Sequence, residues 1–308
     1  GSPMAREQER GSCPTGQGPS ASREMEIGKM AKLTKAQRKA HAEAEAILTK
    51  DRLSEDEKDF VFQNWHEGAN HINGAAGAFF TPYDLAADFE LNVCGEHIID
   101  LCAGIGVLSY FVLCRSRYSG RIKDVTCVEF NPRYCEVGRK LLPEARWINA
   151  DLFDWRDWWR NELQGTRSDC AIGNPPFGNV RRSGNAPRYH GKDFEFHAID
   201  IAAEMADRGA FILPQQSASF RFSGSQTYRR EESGKGVDFE RATGFVMEDP
   251  LGVDTALYRD SWKDTSIMTE IATFDFEEAR LRKRSDTEAA AARPLPASTV
   301  AAQQLALF

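Results

Sequence analysis

The sequence predicts an α/β domain with a mainly parallel central sheet and helices on both faces. Three observations carry this. Five short apolar runs recur between Ile98 and Pro214, segments of helical pattern separate them, and a polar residue stands at or just past the end of most runs. Strand-length runs alternating with helix-length connections are the pattern of βαβ units, and parallel strands need crossovers of that length.

The elements follow in chain order. Gly1-Ser2-Pro3 ahead of Met4 reads as vector-derived, and residues 1–28 are expected as a disordered leader, because the stretch to Ser22 is rich in Gly, Ser, Pro and Gln with little to bury. Residues 29–74 are expected as a helical segment. Ala, Lys, Glu and Gln dominate 32–50, and Ser54 with Glu57 forms a capping box that opens a second helix through Phe60, Phe62 and Trp65. A domain over 75–284 then carries strands at 98–101, 125–129, 147–151, 170–173 and 210–214. Helices at 107–113, 132–142 and 194–205 connect them, and 267–274 is expected as an edge strand. Insertions at 179–192 and 215–265 are expected as substrate-recognition loops. Residues 285–308 are expected as a flexible tail, being Ala/Pro-rich over 289–300.

Composition narrows the class. The chain has 308 residues, 41% apolar and 28% charged, which can bury one large core or two modest ones and excludes disorder throughout. No apolar run approaches the roughly 18 residues of a membrane span, and no secretion signal is seen, so a cytoplasmic protein is expected. The cysteines, seven in number, lack metal-ligand spacing, and His66, His71, His97, His190 and His197 form no ligand set. No metal is expected. A net charge of −7 gives no general support to nucleic-acid binding but leaves room for a locally basic cleft.

Two motifs carry chemistry. Asp100-Leu101-Cys102-Ala103-Gly104-Ile105-Gly106 places two glycines at a strand-to-helix turn, where backbone approaches a ligand closely. Glu129, ending the next strand, stands where a ribose would present its two hydroxyls, and a carboxylate there accepts both. No phosphate-holding lysine occupies the turn, so the pocket reads as nucleoside-like. The second motif is Asn174-Pro175-Pro176-Phe177-Gly178, directly after a strand. The two prolines stiffen the loop, the Asn oxygen and a carbonyl of the proline segment can accept the hydrogens of a planar amine, and Phe177 offers a flat face to a base.

With Gly77-Ala78-Phe79-Phe80-Thr81-Pro82 upstream, this order of motifs resembles the class I S-adenosylmethionine-dependent amino-methyltransferases, most closely the gamma-order adenine-N6 DNA methyltransferases. The resemblance covers roughly 75–214 and implies a Rossmann-like methyltransferase fold with S-adenosyl-L-methionine as cofactor. It implies that Phe80, Thr81 and Asp100 surround the methionine moiety, with Cys102, Gly104 and Gly106 in the turn. Glu129 and Phe130 would take the ribose side, Asp151 and Leu152 would lie near the adenine, and Asn174 would border the cofactor. Asn174, Pro175, Pro176 and Phe177 would be catalytic, binding the target amine and stacking on a flipped adenine. Cys102 stands where many relatives have a small residue, and Asn174 where aspartate is commoner.

DNA is the expected partner, in a bacterial cell or phage-infected host. Residues 179–192 contain four Arg/Lys residues and no acid. Arg181, Arg182, Arg188 and Lys192, with Gln215, Gln216, Ser219 and Arg221 further on, are expected to contact phosphate or base edges, as are Arg229 and Arg230. A large target-recognition domain is not evident, which favours a short recognition sequence or relaxed selectivity. The terminal Gln304-Leu305-Ala306-Leu307-Phe308 resembles peptides that bind the bacterial replication sliding clamp. Alternatives are methylation of RNA adenine or of protein glutamine, and a noncatalytic methyltransferase-like assembly subunit.

Overall fold

The computed structural model describes residues 33–66, 79–121, 123–263 and 265–291. The expected leader, Gly77, Ala78, His71 and the terminal Gln304 to Phe308 lie outside these residues. Two helices open the described chain, α1 (Lys35–Leu48) and α2 (Glu55–Asn64). Both start in capping boxes, Thr34 with Gln37 and Ser54 with Glu57, and the acids Glu55, Asp56 and Glu57 sit in the first turn of α2, where the helix dipole favours them.

After α3 (Tyr83–Phe89) the strands β1 (His97–Leu101), β2 (Asp124–Glu129), β3 (Arg146–Asn149), β4 (Ser168–Gly173) and β5 (Ala206–Pro214) alternate with α4 (Val107–Ser119), α5 (Pro132–Leu141), α6 (Trp155–Leu163) and α7 (Phe194–Met205). A small hairpin, β6 (Phe220–Arg221) with β7 (Arg229–Arg230), and α8 (Lys235–Thr243) lie in the 215–265 insertion, followed by β8 (Thr269–Asp275) and α9 (Phe276–Ala291). The main sheet is six-stranded in the order β3-β2-β1-β4-β5-β8. All its neighbours are parallel except β5 with β8. This is the α/β, Rossmann-like arrangement expected, with β8 added at the sheet edge.

Alternation along the strands builds a core on each face. Ile98, Cys127, Cys170, Ile172, Ala210 and Ile212 pack with α4 and α5 on one side. Ile99, Val128, Ala171, Phe211 and Leu213 pack with α6 and α7 on the other. The helical segment joins the first layer through Val61, Phe62 and Trp65. The hydroxyls of Tyr83 and Tyr110 each donate to Asp59 Oδ1 at 2.6 Å, which ties α2 to α3 and α4.

Several elements depart from expectation. Helix α6 occupies a stretch given no element, although Trp155, Trp158 and Trp159 have helical spacing. Helices α3 and α8 were likewise not anticipated. Helix α9 runs to Ala291, past the expected start of the tail at 285.

Candidate active site

The sheet order places the site. The chain runs outward from β1 through β2 to β3, then resumes on the other side of β1 with β4, so a crevice opens beyond the carboxyl ends of β1 and β4. Asp100 pairs with Ile172 in register, which brings the end of β1 level with the residues just before Asn174. A cleft lies there, lined among others by Phe62, Phe80, Thr81, Asp100, Gly104 and Asn174. Cys102 also lines it.

The turn after β1 is shaped by backbone of unusual hand. Cys102, Gly104 and Gly106 have φ of 62°, 59° and 91°. At Gly104 an added Cβ would lie 3.1 Å from the Phe80 ring, and at Gly106 one would lie 2.9 Å from Leu142. Gly104 therefore serves the cleft, whereas Gly106 serves the packing of α4 against α5. A left-handed non-glycine such as Cys102 costs roughly 1–2 kcal/mol and is held by its surroundings. Glu129 braces the turn: its carboxylate accepts from Gly104 N and from Asn131 N, each at 2.8 Å.

Asp100 is fully buried. Its Oδ2 accepts from the Ser109 hydroxyl at 2.7 Å, and its Oδ1 has no partner among the described residues. Burial, with the nearby Glu129 charge, pushes the Asp100 carboxyl up to about 7. Burial likewise pushes Glu129 up to about 7 against three backbone hydrogen bonds. The Cys102 thiol is raised by burial and by the same carboxylates.

Asn174 sits directly after β4. Its Nδ2 donates to Phe79 O at 2.9 Å and to Thr81 Oγ1 at 3.0 Å, while its Oδ1 is buried without a partner. Pro175 is buried, and the Phe177 ring lies 6.2 Å from that of Trp262 at a steep angle. Phe130 is 71% exposed beside Glu129. Asp151 caps the turn that follows through Phe153 N, and its second oxygen accepts from Ser183 Oγ at 2.8 Å. The Leu152 side chain is in the core, leaving only backbone for a ligand.

The polar insertions divide. Arg181, Lys192 and Gln216 are exposed. Arg182 instead bonds the carbonyls of Gly191 and Lys192, holding its own loop. Arg188 pairs with the buried Asp200 at 2.7 Å and with Glu204. Ser219 is fully buried and donates to Glu240, and Gln215 donates to Ser223 O and Glu270. Arg221 bonds Gln215 O and pairs with Glu231 at 3.0 Å, and Arg230 pairs with Glu240. Arg188, Ser219, Gln215 and Arg221 are thus engaged in the fold, because acids from α7, α8, β8 and the loop after β7 reach them. Local basic composition does not reveal those acids.

The structure also brings in residues that the motifs do not contain. Phe62 of α2 lines the cleft, and Trp65 stacks on Phe80 at 5.8 Å. The hydroxyl of Ser109 holds Asp100, and within the upstream motif it is the carbonyl of Phe79, a residue given no role there, that holds Asn174. Among the described residues, no group of His, Cys, Asp and Glu could hold a metal. No helix among them is long and apolar enough to cross a membrane.

No protein-family model matches the chain, and no curated protein matches it. Solved structures do. A provisionally assigned class I S-adenosylmethionine-dependent methyltransferase from Listeria monocytogenes is similar at 12% identity over 75% of this chain and 71% of that one, with a TM-score of 0.48. The methyltransferase subunit of a type I restriction-modification system from Streptococcus thermophilus is similar at 18% identity over 74% of this chain and 51% of that one, with a TM-score of 0.46. A provisionally assigned RNA methyltransferase from Pyrococcus horikoshii is similar at 18% identity over 72% of this chain and 98% of that one, with a TM-score of 0.43.

Proposed function

We propose that this chain is an S-adenosyl-L-methionine-dependent methyltransferase acting on the exocyclic amino group of adenine in DNA. The observation that carries the reading is the buried, unpartnered Oδ1 of Asn174 at the edge of a cleft that also holds Asp100. An orphaned acceptor of this kind calls for an N–H donor from a substrate. The cleft fits the cofactor in chemistry: Asp100 Oδ1 is an open acceptor for its ammonium group and Gly104 leaves room beside Phe80, while Glu129, which braces the Gly104 turn, keeps acceptor capacity for ribose hydroxyls.

When bound, the cofactor supplies an electrophilic methyl group on a sulfonium that leaves as a neutral thioether. The residues of the chain then have alignment as their main task. Asn174 Oδ1 accepts one hydrogen of the amine and the Pro175 carbonyl accepts the other, which directs the nitrogen lone pair out of the plane. Phe177 stacks on the base. Asn174 is neutral and takes no proton, so the proton of the methylated amine passes to water. In duplex DNA the adenine must leave the stack to reach this cleft. The exposed Arg181, Lys192 and Gln216 are the proposed DNA contacts.

Incubation with labelled S-adenosylmethionine and separate DNA, RNA and protein pools tests the assignment. Label in DNA recovered as N6-methyladenine is expected. Label in RNA adenine or in protein glutamine, with none in DNA, would overturn the substrate. A sliding clamp as second partner rests on the terminal Gln304-Leu305-Ala306-Leu307-Phe308 alone, and unchanged clamp capture after its deletion would remove that proposal.

A further inference from the structure

We infer that Thr81 and the backbone carbonyl of Phe79 are positioning groups that select an amide at residue 174 and hold its oxygen toward the substrate. This rests on the amine-methylation reading and assigns Thr81 a role apart from cofactor contact.

The argument is one of donors and acceptors. Asn174 Nδ2 has two hydrogens, and they go to Phe79 O at 2.9 Å and Thr81 Oγ1 at 3.0 Å. A carbonyl can only accept. Turning the amide over would set Oδ1 against the Phe79 oxygen, so the nitrogen must face inward and Oδ1 must face the cleft. Both hydrogens are used, which leaves the amide no rotational freedom. The remaining Oδ1 is a buried acceptor without a partner, a state that stays unfavourable until a ligand donates to it.

Aspartate has nearly the same shape but the wrong hydrogens. An ionised carboxylate at 174 would press one oxygen on the Phe79 carbonyl. It would fit only as the acid, with its O–H donated to that carbonyl and its other oxygen free for the amine. The site therefore distinguishes Asn from Asp by hydrogen-bond sense, and Thr81 acts through Asn174 without touching the reacting atoms. A face offering only an acceptor also suits an N–H donor and disfavours a substrate whose reacting group brings only lone pairs.

The test uses the full chain, labelled S-adenosylmethionine at saturation and the pool that accepts label. Thr81→Val should lower kcat by about five- to thirtyfold while the cofactor Kd moves less than about threefold, and Thr81→Ser should recover most of the loss. Asn174→Asp should be active only at acid pH, its rate falling about tenfold per pH unit above the pKa of the new carboxyl, whereas the parent enzyme shows no such fall. A Thr81→Val enzyme with unchanged kcat and weakened cofactor binding, or an Asn174→Asp enzyme with the parental pH profile, would overturn the inference. A parent chain that labels no pool refutes the methylation reading instead. The inference is then decided without turnover by the Asn174 side-chain amide protons, identified in 15N–1H spectra by their disappearance in Asn174→Asp. Both should be protected from exchange in the parent and one exposed in Thr81→Val; rapid exchange of both in the parent would overturn it.

Discussion

At the scale of single residues, the site holds two buried carboxyls that give up their protons late. Asp100 and Glu129 are each held up to about 7 by burial, against about 4 for such groups in an unfolded chain. Between those values the native state binds more protons than the unfolded state, so these groups make stability fall as pH rises. The ligand-free chain should therefore show a lower urea midpoint at pH 8 than at pH 6, and Asp100→Asn should reduce that difference; an equal or larger difference in the variant would contradict the account. A cationic ligand reverses the preference, since it favours both ionised carboxylates. Cofactor affinity should accordingly rise between pH 6 and 8. Gly106 is the backbone counterpart. With φ at 91° and Leu142 only 2.9 Å from an added Cβ, Gly106→Ala should cost about 2 kcal/mol or more in urea unfolding.

At the scale of elements, the basic loop over 179–192 is a strap pinned along α7. Gly178 N donates to Glu195, Ala186 N to His197 Nδ1, and Arg188 N and Tyr189 N to Asp200. His197 Nε2 lies 2.9 Å from Gly191 O, so the neutral ring accepts on one side of the strap and donates on the other. Burial holds its pKa below the ordinary value. The stability that neutral His197 lends is present above about 6.5 and is lost as pH falls through the lowered folded value, where a protonated Nδ1 would face Ala186 N–H. Hydrogen exchange over 180–191 should quicken in His197→Ala at pH 7.5, with the strands of the sheet still protected; exchange confined to its parental rate would show that the ring does not hold the strap. The element also shows where reading by composition stops. Arg188 looks like a phosphate contact in the chain, yet its guanidinium is bound to Asp200 and Glu204, residues that α7 presents only once it has packed.

For the whole molecule, charge is a question of how many cations remain exposed. The net charge is −7, and Arg188, Arg221 and Arg230 are engaged with acids of the same chain. Arg181 and Lys192 remain exposed on the strap. If they reach phosphates, replacing both with Ala should weaken DNA binding uniformly across sequences and reduce the slope of log K against log salt by about 2. A change in sequence preference without a change in slope would assign them to base edges instead.

The two motifs, the order of strands around them and the capping box at Ser54 were legible because each is local: strand alternation, turn glycines and caps depend on residues a few positions apart. Asp100, Glu129 and Asn174 could thus be picked out in the chain. What the tertiary structure alone decided is the pairing across distance. It chose the Phe79 carbonyl and Thr81 as partners of Asn174, brought Phe62 of α2 to the cleft, and bound Arg188, Arg221 and Arg230 in ion pairs with acids of the same chain. The physical reason is that a side chain's donors and charges are satisfied by whatever packing brings within about 3 Å, and sequence spacing does not encode that neighbour once it comes from another element.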